Sequence, residues 1–242
     1  MDKRDMKATY ERHVKTLGDR HERARAMELA IGGQFTAFGI IEREILVQYG
    51  LRPDDFVIDV GCGSGRLAKA LAEYLRGPYL GIDIVPDLLD YAREIVGRPD
   101  WRFEVAPGLQ IPERPNAADV VCFYSVFTHL LHEQSFVYLQ EACRVLKPGG
   151  LIVFSFLEFA IPSHWSVFTA TVADIGGQHP LNVFIGRDAI HAWAEHLPVT
   201  VVAIHGGDKP HVPLREPVTL DDDTVVSGLG NLGQSICVLR RV

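Results

Sequence analysis

The residues with the most evident chemical potential lie in one short stretch of the chain. In residues 57–66 an apolar run reaches Asp59, and three alternating glycines follow, Gly61, Gly63 and Gly65. Glycine adopts backbone angles that a Cβ forbids, and it lets the chain pass close to a ligand. The stretch therefore predicts a strand, a tight glycine turn and the start of a helix, with a small molecule bound against the turn.

A second acid strengthens this interpretation. Eighteen residues after Gly65, the apolar run 79–82 ends in Asp83. An acid at the tip of a second strand suits the two hydroxyls of a ribose. A glycine turn alone is a weak signal, because several nucleotide-binding folds use one. Together the two features favour a ligand that contains a nucleoside. The simpler alternatives are a tight turn without a ligand, a buried cap for Asp59 and a helix cap before Pro86 for Asp83.

The elements that must position these residues alternate from residue 56 onward. Strands are predicted at 56–60, 79–83, 101–105, 119–124, 151–156, 199–205 and 234–239, and helices at 66–75, 87–96, 133–146 and 187–196. This alternation predicts an α/β fold, a parallel sheet with helices on both faces. Right-handed crossovers then bring the carboxyl ends of the strands to one edge, where ligands bind.

Two further regions are expected to build the walls of the binding site. Residues 1–50 form an N-terminal helical extension or lid, and residues 51–242 form the main domain. The apolar stripe from Phe35 to Leu46 is expected to pack on the main domain, although a dimer face is the alternative. Residues 157–186 and 206–233 are interpreted as insertions; loops as long as the second often form lids.

Composition limits the partners of the chain. The 242 residues carry a net charge of −7, which argues against a nucleic-acid backbone as the main partner. No run of 18 apolar residues and no signal-peptide segment is present, so no membrane span is expected. The four cysteines form no C-x-x-C pair and indicate reduced thiols in a cytoplasmic protein. Residues 221–223, three aspartates, are interpreted as a solvated turn, and no metal site is expected.

The order of these features resembles the class I S-adenosylmethionine-dependent methyltransferases. The resemblance rests on residues 57–65, on Gly81-Ile82-Asp83, on residues 116–121 before the fourth strand and on the turn at 144–150 into the fifth. It covers residues 56–156 well. It implies a Rossmann-like, seven-stranded, mostly parallel sheet in the order 3-2-1-4-5-7-6. The implied cofactor is S-adenosyl-L-methionine, with S-adenosyl-L-homocysteine as product.

The resemblance also implies where the cofactor lies. The amino acid part would contact Asp59 and the glycine turn, the ribose Asp83, the adenine Ile84, and the sulfonium the end of the fourth strand. The family's acid near the adenine amine has no clear counterpart, so the backbone of 106–109 is expected to serve. The full set of implied cofactor residues is Asp59, Gly61, Cys62, Gly63, Gly65, Arg66, Asp83, Ile84, Ala106, Leu109, Tyr124 and Ser125.

Two histidines are the candidate catalytic residues. Methyl transfer from a sulfonium is an in-line displacement that mainly requires alignment. A hydroxyl acceptor also benefits from a general base, for which histidine is suited. His129 follows the fourth strand and is the first candidate. His164 follows the fifth strand, in an aromatic segment that could wall the pocket, and is the second. A structural role is the alternative for both, and His205 and His211 are more distant candidates for the pocket mouth.

Several absences narrow the acceptor. The fourth strand lacks the N/D-P-P-Y signature of amine methylation, no Pro-Cys nucleophile is present, and no acid cluster follows the strand. These absences favour metal-independent transfer to an oxygen of a small molecule. The segment 125–129 resembles that of some members of the family, and this resemblance implies a sugar or glycan hydroxyl. The alternatives are a non-catalytic binding or partner protein on the same fold and an NAD-dependent oxidoreductase. The second is disfavoured, because the turn is G-x-G-x-G and no Tyr-x-x-x-Lys pair occurs. The oligomeric state, monomer or homodimer, stays open.

Overall fold

A seven-stranded sheet organises the protein. The computed structural model describes residues 6–174 and 182–242. The strands of the main sheet are β1 (Val57–Val60), β2 (Tyr79–Asp83), β3 (Arg102–Val105), β4 (Ala118–Phe123), β5 (Leu146–Phe156), β6 (Val199–His205) and β11 (Ser235–Arg241). Their order is β3-β2-β1-β4-β5-β11-β6, and β11 runs antiparallel to β5 and β6. Since β11 is the seventh strand of this sheet along the chain, the predicted order 3-2-1-4-5-7-6 is confirmed.

Helices cover both faces of the sheet. They are α1 (Met6–Gly18), α2 (Arg23–Ala30), α3 (Phe35–Gln48), α4 (Arg66–Leu71), α5 (Pro86–Val96), α6 (His132–Val145), α7 (Pro162–Ala173) and α8 (Arg187–Glu195). The region 206–233, predicted as a loop, contains two short antiparallel pairs. These are β7 (Val212–Pro213) with β10 (Leu229–Gly230), and β8 (Val218–Thr219) with β9 (Val225–Val226). Part of the predicted insertion 157–186 lies outside the described residues.

The alternation of side chains along each strand divides the core into two layers. Val57 and Val120 point to the face covered by α3, α4 and α5, whereas Ile58 and Val121 point to the face covered by α6 and α8. Successive side chains of a strand point to opposite faces, so strands that are apolar throughout must be covered on both. Packing on both faces holds the strands in place, and the positions of the strand ends follow from that packing.

The helix α4 is shorter than predicted. It ends at Leu71, because the chain must turn back at Gly77 toward the segment that precedes β1. The backbone N–H groups of Arg76 and Gly77 both donate to the carbonyl of Pro53, at 2.6 and 2.9 Å. A Cβ at Gly77 would lie 2.2 Å from the Asp55 carbonyl, so only glycine fits this approach.

The N-terminal helices pack directly on the main domain. Helices α1 and α2 contribute Val14, Met27 and Ala30 to an apolar cluster with Leu88 and Tyr91 of α5. In α3 the stripe predicted from the sequence supplies Ile41, Ile45 and Leu46, which are at most 1% exposed. Those three residues belong to the core of this chain and not to a dimer face. Among the described residues, none of the helices combines the length and apolar character needed to cross a bilayer.

Candidate cofactor and acceptor site

A cavity of about 350 Å³ opens at the carboxyl ends of β1, β2 and β4, under the N-terminal helices. Its volume lies in the range of roughly 300–1,000 Å³ that small-molecule sites occupy. Ten of the twelve predicted cofactor residues line it: Asp59, Gly61, Cys62, Gly63, Arg66, Asp83, Ile84, Ala106, Tyr124 and Ser125. The sheet therefore brings together residues that are up to 66 positions apart in the sequence.

Two left-handed glycines, Gly61 and Gly63, form the floor of the cavity, and a third, Gly65, follows them in the same turn. Gly61, Gly63 and Gly65 have φ angles of 75°, 54° and 89°, a region that side chains with a Cβ rarely adopt. The N–H groups of Gly61 and Cys62 both donate to the Ile82 carbonyl, which ties the turn to β2. The turn thus holds its shape through backbone bonds and exposes its upper surface to the cavity.

Two predicted cofactor residues do not line the cavity. Gly65 faces α5, where a Cβ would lie 2.8 Å from the Cβ of Ala92, so this glycine serves the packing of helix on turn. Leu109 packs against the core layer under α6 and α8. For both, the sequence spacing was compatible with the cavity, but the direction of the residue is set by its contact with the core.

Asp59 is a buried acid beneath the glycine turn. Its side chain accepts hydrogen bonds from the Tyr79 hydroxyl at 2.7 Å and from the Cys122 thiol at 3.7 Å. Burial raises the pKa of Asp59 to about 7, and the bond from Tyr79 opposes this shift. A cation placed beside this buried carboxyl group would stabilise its charged form. The site therefore suits the ammonium group of an amino acid.

Asp83 has a structural and a binding face. Its two carboxylate oxygens accept the N–H groups of Gly63 and Val85, each at 2.9 Å, so this side chain joins the glycine turn to the residue that precedes α5. Each carboxylate oxygen has further lone pairs, and the residue lines the cavity. Burial raises the pKa of Asp83, and the backbone hydrogen bonds oppose the rise. These features fit a pair of ribose hydroxyls, with Ile84 and Ala106 as apolar neighbours for a base.

Glu42 is a wall residue that the sequence analysis missed. It comes from α3, is 1% exposed, and accepts a bond from the Arg66 guanidinium at 2.5 Å. Its backbone carbonyl accepts the Tyr124 hydroxyl at 3.1 Å. Burial raises the pKa of Glu42, against the attraction of Arg66. The sequence did contain a signal for this residue, namely an acid inside the apolar stripe of α3. A buried acid needs a partner, so its position indicated a polar contact on the buried side of the helix.

The two candidate catalytic histidines lie in different environments. His129 lines the cavity, in the turn that follows β4, and its ring meets the ring of Tyr10 edge-on at 5.7 Å. His164 is 2% exposed and is not a cavity residue. Its Nδ1 accepts the Glu158 N–H at 2.9 Å, so its Nε2 carries the proton and donates to the Gly233 carbonyl at 2.7 Å. His164 therefore has the structural role given above as the alternative: it links the end of β5 to the start of β11.

The aromatic segment after β5 also lies away from the cavity. Phe159 and Phe168 pack around Phe184, with Trp165 against Phe168, and none of these rings lines the cavity. His205 stacks on His211 at 4.1 Å and meets the Tyr49 hydroxyl, again outside the cavity. The predicted aromatic wall and the two distant histidines are therefore not part of it. Additional walls come instead from residues far away in sequence: Tyr10, Ile31, Glu42, Tyr138 and Gln234.

The predicted solvated turn at residues 221–223 makes specific contacts. Asp221 accepts the Gln34 N–H at 3.1 Å and an Arg25 N–H at 3.2 Å, so it ties the turn to the N-terminal helices. Within residues 6–174 and 182–242, no group of three or more His, Cys, Asp or Glu side chains is arranged to hold a metal ion.

Fold and site together define an α/β domain whose cavity, at the carboxyl edge of the sheet, has the acids and the glycine turn that suit an amino acid–nucleoside cofactor. The protein-family model described as "Methyltransferase domain" matches residues 58–154. The ubiquinone biosynthesis O-methyltransferase of Xylella fastidiosa (strain 9a5c) is 27% identical over 183 residues, which cover 72% of this chain and 71% of that protein. The protein of the same name from Colwellia psychrerythraea is 32% identical over 150 residues, 57% of this chain and 58% of that one.

A solved structure shows the same fold over the whole chain. Magnesium protoporphyrin IX methyltransferase from Synechocystis PCC 6803, with bound S-adenosylhomocysteine, aligns with a TM-score of 0.66 at 14% identity and covers 100% of both chains. The protein described here is a class I S-adenosylmethionine-dependent methyltransferase. Its cofactor is S-adenosylmethionine, and the oxidoreductase and non-catalytic alternatives are not retained.

Proposed function

We propose that this enzyme methylates a hydroxyl oxygen of a small acceptor without a metal ion, with His129 as the general base. The observation that carries the proposal is the position of His129, which lines the same cavity as the glycine turn and both acids. The name of the relatives, O-methyltransferases of ubiquinone biosynthesis, supports oxygen as the acceptor atom.

The cofactor supplies an activated methyl group on a sulfonium. The chain's own residues then have four tasks. Asp59 binds the ammonium group, Asp83 binds the ribose, and the end of β4 at Tyr124 and Ser125 borders the transferring methyl. His129 accepts the proton of the acceptor hydroxyl as that oxygen attacks, which prevents positive charge from building up on the oxygen. Tyr10 packs edge-on against the imidazole and holds the ring toward the cavity.

Two acceptor classes are compatible with this chemistry. The first is a sugar or glycan hydroxyl, which the segment 125–129 favours. The second is a hydroxyl on a precursor of ubiquinone, which the name of the relatives favours. We further propose the cytoplasm as the location, supported by the four buried free thiols.

A methyl-labelled cofactor tests the acceptor atom. The enzyme is incubated with carbon-13-methyl S-adenosylmethionine and a panel of sugars, phenols and amines, and carbon NMR of the products distinguishes methoxy from N-methyl carbons. The proposal predicts methoxy products, slowed by about 10²-fold or more in His129→Ala. His132→Ala is the matched control, because His132 lies at the start of α6 and bonds the Phe184 carbonyl outside the cavity. N-methyl products, or equal rates in wild type and His129→Ala, would contradict the proposal.

A further inference from the structure

A hydrogen-bonded triangle of Ser125, Ser155 and Gln234 lies at the end of β4. The Ser125 N–H donates to Ser155 Oγ at 2.7 Å, the Ser155 hydroxyl donates to Gln234 Oε1 at 2.6 Å, and Gln234 Nε2 donates back to Ser125 Oγ at 3.0 Å. The three residues come from the adjacent ends of β4, β5 and β11. Of these, Ser125 and Gln234 line the cavity.

Ser125 is held in an uncommon conformation. Its φ angle is 58°, in the left-handed region that non-glycine residues seldom enter. Outliers of this kind persist only where the surroundings determine them, and they cluster at functional sites. Three hydrogen bonds hold Ser125 in this conformation. Two are the bonds of the triangle in which Ser125 takes part, and the third is donated by the Thr128 hydroxyl to the Ser125 carbonyl at 2.9 Å.

The other corner of the triangle is fixed from the interior. Gly233, just before Gln234, accepts the Nε2 proton of His164 at 2.7 Å. Just after it, the Ser235 hydroxyl donates to Glu158 at 2.5 Å. Gln234 therefore sits between two anchored neighbours, and its amide orientation is set by Ser155 on one side and Ser125 on the other.

The triangle leaves two donors without an acceptor among the described residues. A serine hydroxyl has one hydrogen, and the Ser125 hydroxyl accepts from Gln234 without donating. A glutamine amide has two hydrogens, and Gln234 uses one of them on Ser125. Both remaining hydrogens belong to residues of the cavity wall: Ser125 lies in the turn that leads to His129, and Gln234 lies just before β11.

These donors suit an oxygen other than the one that reacts. A donated hydrogen bond stabilises the lone pairs of the attacking oxygen and makes it a weaker nucleophile. The reacting hydroxyl instead needs an acceptor for its proton, which His129 provides. The turn from Ser125 to His129 is closed by the His129 N–H to Val126 carbonyl bond at 2.9 Å, so Ser125 lies one turn from the base, and Gln234 lines the same cavity from the segment before β11.

We propose that Ser125 and Gln234 form a subsite for a second oxygen of the acceptor, adjacent to the hydroxyl that is methylated. This inference rests on the proposed O-methylation. It assigns the acceptor to molecules with vicinal oxygens, which include both sugar diols and dihydroxylated aromatic rings. Ser125 and Gln234 determine specificity.

Binding of matched fragments tests the subsite. Catechol is compared with phenol, and a vicinal cyclohexanediol with cyclohexanol, by NMR titration into the protein saturated with S-adenosylhomocysteine. We expect at least one vicinal member to bind about ten-fold more tightly than its single-oxygen partner, the size of one to two hydrogen bonds. The aromatic and alicyclic arms separate a phenolic from a sugar-like acceptor.

Two variants and one control make the test specific. Gln234→Met keeps the length of the side chain and removes the amide. Ser125→Gly removes the hydroxyl and accepts the positive φ, so it keeps the fold even if the first variant does not. Both are expected to reduce the preference for vicinal oxygens to about two-fold or less. Gln48→Met is the matched control and is expected to keep the preference, because Gln48 bonds the His211 carbonyl outside the cavity.

Three results would overturn the subsite: equal binding of the two members in both pairs, no binding of any of the four fragments, or an unchanged preference in both variants. Failure of the proposed function is seen separately, by methyl transfer from labelled cofactor. A vicinal preference with methylation of nitrogen alone supports the subsite and contradicts O-methylation. Methoxy products without a vicinal preference support O-methylation and contradict the subsite.

Discussion

Replacing Asp59 by asparagine should make the protein without cofactor more stable and its cofactor affinity weaker. The Asp59 side chain is 2% exposed, and burial raises its pKa from 3.8 to about 7. Since the folded pKa lies above the unfolded value, the stability of the wild type is greatest below the unfolded pKa and falls as the pH rises to about 7. Asparagine has the same shape as aspartate but no ionisable group, so the variant does not lose stability as the pH rises.

The size of the effect follows from the two pKa values. At 1.36 kcal/mol per pKa unit, the shift corresponds to an upper limit of about 4 kcal/mol at pH 8. Part of that limit is already present at pH 5, between the two pKa values. The stability advantage of Asp59→Asn should therefore grow by up to about 2–3 kcal/mol from pH 5 to pH 8. The bond from the Tyr79 hydroxyl survives, because the asparagine oxygen still accepts it.

Cofactor binding should change in the opposite direction. Loss of a charged partner for the ammonium group costs roughly 1.5–3 kcal/mol, about 10- to 150-fold in the dissociation constant of S-adenosylhomocysteine. In the wild type the affinity should itself fall about ten-fold per pH unit below pH 7, since a protonated Asp59 must lose its proton to bind the ammonium. The variant should lack this pH dependence.

Denaturant unfolding at pH 5 and 8, with calorimetric titration of S-adenosylhomocysteine at the same pH values, measures both effects. Asp119→Asn is the matched control. Its carboxylate accepts from Lys147 and from the Phe56 N–H outside the cavity, so that variant should lose stability and keep its cofactor affinity. A less stable Asp59→Asn at pH 8, or an unchanged affinity, would refute the role assigned to this buried acid.

Three further changes test other parts of the site. Asp83→Ala should weaken S-adenosylhomocysteine binding by roughly 1.5–3 kcal/mol in a calorimetric titration, because the ribose loses a charged acceptor; unchanged affinity would remove the ribose assignment. Gly65→Ala should lower the free energy of unfolding by about 1–3 kcal/mol, because of its positive φ and the contact with Ala92, whereas Gly18→Ala, which meets no neighbour, should not. A Gly65→Ala protein as stable as wild type in denaturant would contradict the packing role. Gly63→Val should abolish binding in the same titration and also lower the free energy of unfolding, because its φ is 54° and a Cβ would lie 2.6 Å from Ile31 Cγ2; normal binding by the protein that remains folded by circular dichroism would argue against a close approach of cofactor and turn.

The sequence predicted those parts of the protein that short-range patterns encode. The glycine turn, Asp59 and Asp83 are local signals, each within one strand–turn–helix unit. The mostly parallel sheet followed from the alternation and the strand order from the family resemblance, and the structure confirms both. Ten of the predicted cofactor residues reach the cavity because the carboxyl ends of the parallel strands meet at one edge of the sheet.

The missed parts depend on contacts between distant segments. Tyr10, Glu42 and Gln234 reach the cavity from helices and a strand whose docking is decided by the core, and no local pattern encodes that direction. His164 had the right residue type and a plausible position. Its two ring nitrogens are nevertheless taken by the backbone of Glu158 and Gly233, which only the fold reveals.

Calorimetric titration of the purified protein with S-adenosylmethionine, S-adenosylhomocysteine and NAD in parallel tests the central claim most directly. The cavity described here predicts micromolar binding of the first two, on the order of −8 kcal/mol, and no binding of NAD. Binding of NAD, or of none of the three, would contradict the assignment of the glycine turn and its two acids to this cofactor.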